Sequence, residues 1–159
     1  MSVRPIRLMK RPLLFKTCAS MFACGVLLGI GSEVFAGVAN GTMGYYGPID
    51  GYSYENQATI YTFASGLGQG ASAQVYAQNQ AQANVPSGYM GAYAQLWNSS
   101  GALIESSGWI YNNGPAYQQD ASTGTYTTHG TYYSTGFTAA YNGNGYTTYS
   151  TFRSPNQTY

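Results

Sequence analysis

The sequence predicts an all-β protein, a single antiparallel β-sandwich that follows an N-terminal signal peptide. Three observations support this fold class. Residues 71–83 alternate small apolar and polar side chains, as a strand with one buried face does. Turn signals recur every 8–15 residues, and no segment after residue 36 has convincing helical periodicity. We therefore expect six or seven strands, with an open β-barrel as the alternative architecture.

Residues 1–36 have the organisation of a signal peptide. Five positive charges lie within residues 1–16, an uncharged apolar stretch follows, and Val34 and Ala36 form the cleavage site. The uncharged run of 16 residues is shorter than the ~20 residues that a spanning helix needs, which disfavours a permanent anchor. Cleavage after Ala39 and lipid attachment at Cys24 are the alternatives. We expect a secreted, extracellular protein whose only membrane contact is through its signal peptide.

The mature chain divides into an arm and a sandwich domain. Residues 37–50 are rich in Gly and contain Pro48, so we expect an extended arm there. The sandwich domain is expected to cover residues 51–159. Its strands are predicted from Gly51 up to a turn at 65–70, and then at 71–83, 89–97, 102–111, 125–128, 130–141 and 146–153. Turns with Pro, Gly or Asn-Gly separate them, and residues 112–124 are predicted to form a long polar loop.

The hairpin predicted at 89–111 provides the candidate ligand-binding residues. Strand alternation places the aromatic side chains of this hairpin on the same alternating faces, and such rings stack on sugars when they are exposed. Only 13 Leu, Ile, Val and Phe residues follow Ala36, and this scarcity favours burying the aromatic rings as core instead. The candidate residues are Tyr89, Tyr93, Trp97, Trp109 and Tyr111.

The charged residues restrict the available chemistry. After residue 36 there are four acids and one base, Arg153, which gives a side-chain charge of −3. One Arg cannot neutralise several phosphates, so we expect no nucleic-acid partner. There is one histidine, His129, and no cysteine in the mature chain, so we expect no metal and no cofactor.

The same residues make catalysis an unfavoured hypothesis. A Ser-His-Asp triad would need His129 with Asp50 or Asp120, and no nucleophile-elbow pattern surrounds any serine. A glycosidase would need Glu55 paired with Glu105 or Asp120 across a cleft. We therefore predict a protein that is not an enzyme and has no catalytic residues.

Two stretches, VPSGYMGAYAQLWNSSGALIESS and GTYYSTGFTAAYNGNGYTTYSTFRSP, resemble a group of small secreted bacterial β-proteins. The overall plan is more distantly similar to that of lactococcin-type bacteriocins, with a signal peptide, a Gly- and Tyr-rich start and a small cysteine-free sandwich. This resemblance implies action at the cell envelope through interference with wall synthesis. The chain differs from that family in size and in its near lack of Lys and His, and it offers no functional residue for transfer.

These observations predict a secreted, non-enzymatic protein that binds at a cell-envelope or polysaccharide surface, with bacteriocin-like action as the specific hypothesis. The alternative is a self-associating extracellular matrix or surface structural protein. That alternative is motivated by residues 71–83, which contain neither charge nor proline, as segments that form cross-β assemblies do.

Overall fold

Eleven β-strands make up the part of the chain that the computed structural model describes, residues 35–63 and 70–159. No helix occurs within these two ranges. The strands are β1 (Phe35–Asn40), β2 (Gly44–Ile49), β3 (Tyr52–Phe63), β4 (Gly70–Asn79), β5 (Met90–Asn98), β6 (Leu103–Ser106), β7 (Ile110–Tyr111), β8 (Gln118–Ser122), β9 (Thr131–Tyr141), β10 (Tyr146–Ser150) and β11 (Gln157–Thr158).

The strands form two antiparallel sheets. In sheet 1, β3 pairs with β4 and β4 with β8, while β1 and β2 pair with the two halves of β3 along its other edge. In sheet 2, β9 lies between β5 and β10, with β6 and β7 on the far side of β5 and β11 beside β9. The predicted all-β sandwich is confirmed, and the sheets do not close into a barrel.

Small side chains fill the space between the sheets. The odd-numbered residues of β4, Ala71, Ala73, Val75 and Ala77, are fully buried, as the alternation of 71–83 predicts. They belong to the same two core clusters as the inward residues of β5, which are Met90, Ala92, Ala94 and Leu96. Few of the tyrosines join this core. Tyr54 and Tyr132 do, and they are 0% and 4% exposed.

Residues 37–50, which the sequence analysis assigns to an extended arm, form β1 and β2 of sheet 1 instead. Val38 pairs with Tyr61, and Tyr45 pairs with Glu55. The physical reason is that the edge of β3 presents unpaired N–H and C=O groups, and backbone pairing satisfies them whatever the side chains are. A break in the register at Gly47–Pro48 accommodates the proline. Residues 1–34, which hold nearly all of the predicted signal peptide, lie outside the described residues, as do residues 64–69 of the predicted turn.

Three predicted strands have different limits in the structure. β4 ends at Asn79 because the Asn79 side chain accepts a hydrogen bond from the Ala81 N–H and donates one to the Ala83 carbonyl, which turns the chain. Residues 102–111 split into β6 and β7 at Gly108, whose φ is +75°. Residues 125–128 contribute only one bridge, between Tyr126 and Ala71.

The predicted loop 112–124 contains a strand, β8. Its side chains are polar except for Ala121, which is 2% exposed. The alternation of apolar and polar residues that indicates a strand is therefore almost absent from this segment. β8 forms because its backbone completes the free edge of β4, where Val75 pairs with Ala121.

Candidate functional site

Four of the five aromatic residues predicted as ligand-binding lie outside the core, whereas Tyr89 packs against the core cluster that contains Tyr54 and Met90. Trp109 and Tyr111 are 40% and 37% exposed, and Tyr89, Tyr93 and Trp97 are half-buried. The reason lies in β5, where Met90, Ala92, Ala94 and Leu96 take the inward positions, so that alternation turns the aromatic neighbours outward. The buried position favoured by the sequence analysis is therefore wrong for Tyr93, Trp97, Trp109 and Tyr111, whose rings lie on the outer face of sheet 2.

Seven rings form a connected set that extends over this face, which we call the aromatic cluster, and Tyr89 at one end of it also contacts Tyr52 of β3, with ring centroids 5.7 Å apart. Ring centroids are 5.5 Å apart for Tyr93 and Trp109, 5.9 Å for Trp109 and Tyr111, and 4.8 Å for Tyr111 and Tyr146. These separations are typical of favourable ring pairs. The aromatic cluster consists of Tyr89, Tyr93, Trp109, Tyr111, Phe137, Tyr141 and Tyr146.

The sequence analysis missed the three members of the aromatic cluster that lie on β9 and β10. Phe137 stands directly opposite Tyr93, and Tyr146 pairs with Tyr141 across the hairpin turn at 142–145. The Asn-Gly turn and the alternation of residues 131–141 place Tyr141 and Tyr146 on one face. Their approach to the candidate residues requires the pairing of β5 with β9, which has no local sequence signal.

A glycine determines how the rings pack against the sheet. Gly91 pairs with Tyr111, and a Cβ atom at Gly91 would lie 2.6 Å from Cε1 of the Tyr111 ring. The missing side chain therefore lets this ring lie directly on β5. The ring of Tyr146 is held by a hydrogen bond of 2.8 Å from its hydroxyl to the Gly88 carbonyl. Two neighbouring rings thus have fixed positions although both are exposed.

A second aromatic group, which we call the terminal pair, lies at the other end of β5. Its members, Trp97 and Tyr133, stack with centroids 6.3 Å apart and an interplanar angle of 7°. The guanidinium carbon of Arg153 lies 3.5 Å from the centroid of the Tyr133 ring, a cation–π contact. Gln95 and Thr135, which pair across β5 and β9, separate the terminal pair from the aromatic cluster.

The four acidic residues that follow Ala36 are dispersed over the sandwich. Asp50 lies in the turn between β2 and β3, where hydrogen bonding to its carboxylate raises the pKa of the Tyr89 phenol. Glu105, on β6, accepts a hydrogen bond of 3.1 Å from the Gly124 N–H. Glu55 and Asp120 occur on β3 and β8, with β4 between them, and burial raises the pKa of both carboxyl groups.

These positions bear on the catalytic pairings considered from the sequence. Glu55 and Glu105 belong to different sheets, while Glu55 and Asp120 share the outer face of sheet 1 with Tyr76 between them. Two strand spacings and an offset of two residues along the strands put their backbones about 12 Å apart. His129 stacks on the C-terminal Tyr159, with ring centroids 4.7 Å apart.

Two features are absent from residues 35–63 and 70–159. In these ranges, no three His, Cys, Asp or Glu side chains come together as a metal site would require. The same ranges contain no helix with the length and apolarity needed to cross a membrane.

Comparisons with known proteins leave the geometry as the only basis for a functional assignment. No family model, no curated protein and no solved structure shows a significant match to the chain. The aromatic cluster is the candidate site because it unites four of the five predicted residues, three of which lie on the outer face of sheet 2.

Proposed function

We propose that the protein is a secreted, non-enzymatic protein that binds a cell-envelope or other polysaccharide surface through the aromatic cluster. One observation carries this proposal: the rings lie exposed on the outer face of sheet 2 although the chain is poor in aliphatic side chains that could fill its core. Exposed apolar patches of this kind mark interaction surfaces.

The chemistry of the aromatic cluster fits a sugar better than a charged partner. Tyr and Trp combine an apolar ring face with a polar hydroxyl or N–H group, and a sugar ring combines apolar C–H faces with a rim of hydroxyl groups. No acidic or basic side chain belongs to the aromatic cluster. Attraction to a polyanion or a polycation therefore has no source within it.

The exposed area also favours a polysaccharide over a second copy of the chain. The four most exposed members, Trp109, Tyr111, Phe137 and Tyr146, are 37–44% exposed. With roughly 200 Å² for a full aromatic side chain, these four offer about 300 Å². A stable protein interface buries about 800 Å² on each partner. The rings alone supply less than half of that area, which supports a smaller ligand.

One structural observation weighs against the self-assembly alternative. β4, which contains most of the charge-free segment 71–83, pairs with β3 along its whole length and with β8 from Gln74 to Gln78. Its backbone hydrogen-bonding groups are therefore largely occupied within the sandwich, whereas cross-β growth needs them free. Self-assembly through this segment would first require β8 to detach.

The test is retention on insoluble peptidoglycan, chitin and cellulose, using the protein recovered after expression of the full chain. We expect retention on one of these polymers and a soluble protein in the control without polymer. Trp109→Ala should lower retention at least fivefold. Tyr45→Ala should leave it unchanged, since Tyr45 is 68% exposed but lies on β2 of the other sheet.

Three results would contradict the proposal in different ways. Retention on none of the polymers would remove the binding function. Equal losses for the two variants would remove the aromatic cluster as its site. A control that sediments by itself would support self-association instead.

The secreted and bacteriocin-like parts of the proposal need their own measurements. Mass spectrometry of the protein exported by a bacterial host should give an N-terminus at Gly37. Growth inhibition should be confined to bacteria whose envelope carries the polymer that retains the protein. A protein that stays in the cytoplasm, or one that binds an envelope without slowing growth, would contradict the respective part.

A further inference from the structure

We infer that the aromatic cluster and the terminal pair form one elongated site, in which a single extended, uncharged polysaccharide chain lies lengthwise along β5. This inference rests on the proposed function and specifies the class of its ligand. It goes further because it assigns a role to Trp97, Tyr133, Gln95 and Thr135, which lie outside the aromatic cluster.

The first support is that the outward side chains of β5 lie in one row. Tyr93, Gln95 and Trp97 occupy alternate positions of the strand, and the Tyr111 ring lies over Gly91, the preceding alternate position. At about 3.3 Å per residue, Gly91 and Trp97 are about 20 Å apart along the sheet. Tyr93 and Trp97 are about 13 Å apart by the same measure. A single sugar ring cannot bridge these distances, whereas a linear chain of sugars can.

The second support is the polar step between the two aromatic groups. Gln95 and Thr135 face each other across β5 and β9, and both are half-buried. Within the described part of the chain, no side-chain hydrogen bond is found for either residue. Their amide and hydroxyl groups are available to donate to and accept from sugar hydroxyl groups. The row therefore places one hydrogen-bonding step between two groups of ring faces, and each unit of an oligosaccharide presents both C–H faces and hydroxyl groups to such a row.

The third support is the distribution of charge. Arg153 lies over Tyr133 at one end of the row, and Asp50 interacts with Tyr89 beyond the other end. The ends are separated by more than the ~8 Å screening length at physiological ionic strength. The row between them has no formal charge, so it offers no counter-charge to a polymer that carries a carboxylate or phosphate on every repeat.

The experiment is calorimetric titration with soluble oligosaccharides of glucose and of N-acetylglucosamine that contain two, four and six sugars. The protein is the one recovered from expression of the full chain. We expect the six-sugar ligand of one series to bind at least tenfold more tightly than its two-sugar ligand. Trp97→Ala should abolish most of this gain and leave two-sugar binding nearly unchanged. Trp109→Ala should weaken both ligands.

Two checks guard against misinterpretation of the variants. Tyr133→Ser removes the other ring of the terminal pair and should reproduce the effect of Trp97→Ala, so one unfolded variant does not decide the result. Urea unfolding midpoints identify any variant that has lost its fold. Tyr117→Ala is the matched control, since Tyr117 is 48% exposed and belongs to neither aromatic group.

The outcomes separate this inference from the proposed function. The elongated site is overturned if two-sugar and six-sugar ligands bind with equal affinity. It is also overturned if Trp97→Ala and Tyr133→Ser leave the six-sugar affinity unchanged. In both cases the proposed function still stands. If oligosaccharides that carry a carboxylate on each repeat bind more tightly than the uncharged ones, the assignment of the ligand as an uncharged polysaccharide is overturned. Retention on no polymer together with no oligosaccharide binding overturns both proposals.

Discussion

The contact between Gly91 and Tyr111 can be tested by adding a single methyl group. In Gly91→Ala the new Cβ would lie 2.6 Å from Cε1 and 2.8 Å from Cδ1 of Tyr111. Carbon atoms prefer separations of about 3.5–4.0 Å. The Tyr111 ring must therefore move outward by about 1 Å, because the new Cβ is fixed to the backbone of β5.

The size of the effect follows from the burial of the ring. Tyr111 is 37% exposed, so about 130 Å² of its side chain is buried if the whole side chain has roughly 200 Å². At ~25 cal/mol per Å² this burial contributes about 3 kcal/mol, which is the upper limit for complete displacement. A shift of about 1 Å loses part of it, and we expect Gly91→Ala to lower the free energy of unfolding by about 1 kcal/mol, at the lower end of overpacking effects.

The assay is a double-mutant cycle measured by urea unfolding of the wild type, Gly91→Ala, Tyr111→Ala and the double variant. In the Tyr111→Ala background the clash is absent. Replacing a strand Gly by Ala then stabilises by about 0.5 kcal/mol or more, less any cost of the 3.3 Å approach to the Ala139 Cβ. The substitution should therefore change sign between the two backgrounds.

A coupling energy near zero would refute this reasoning. If Gly91→Ala destabilised the protein equally with and without the Tyr111 ring, its effect would come from the backbone or from Ala139. The ring would then not lie on Gly91. Near-ultraviolet circular dichroism provides a second measurement, since a displaced Tyr111 should alter the signal of the neighbouring Trp109.

Three further predictions concern the core. Tyr54→Phe should raise the free energy of unfolding in urea by about 1 kcal/mol, because the buried Tyr54 hydroxyl has no hydrogen-bond partner among the described residues; a loss of stability would reveal a partner. Raising the pH from 10 to 12 should lower the free energy of unfolding in urea, because burial raises the pKa of Tyr54 from 10.0 to about 12. The stabilisation is complete below pH 10 and is lost as the folded phenol ionises. Tyr54→Phe should make this loss smaller, and an equal loss in the variant would contradict the assignment to Tyr54. Gly136→Ala should lower the free energy of unfolding by at least about 3 kcal/mol or prevent folding. The reason is that its Cβ would lie 2.0 Å from the Tyr93 carbonyl oxygen and 2.8 Å from Cγ2 of Val75. A soluble variant with an unchanged urea midpoint would contradict this packing.

The strands predicted most accurately are those with strong local patterns. Residues 71–78 alternate strictly, and the Asn-Gly turn at 142–145 aligns the strands on either side of it. β1, β2 and β8 differ because backbone pairing with an existing edge holds them, which requires no side-chain pattern. Their positions become predictable only when β3 and β4 are already in place.

The exposure of the aromatic rings could not be predicted because β5 has apolar side chains on both faces. Alternation separates Met90, Ala92, Ala94 and Leu96 from Tyr89, Tyr93 and Trp97, but it does not indicate which set faces the other sheet. The choice depends on the opposing surface of β4, where alanines dominate. Because alanine side chains are short, the space between β4 and β5 is narrow. Residues of small or moderate size fill it, and the larger rings lie on the outer face.

Half of the buried hydrophobic side chains among the described residues, nine of eighteen, are alanines. An alanine has no side-chain rotamers to lose when it is buried, whereas residues such as Leu and Ile lose about 0.5–1 kcal/mol each in conformational entropy. The interior thus offsets its small apolar area with a low entropic cost of ordering. For the same reason the interior needs few large rings, and a chain with few aliphatic residues can leave most of its described aromatic side chains partly exposed.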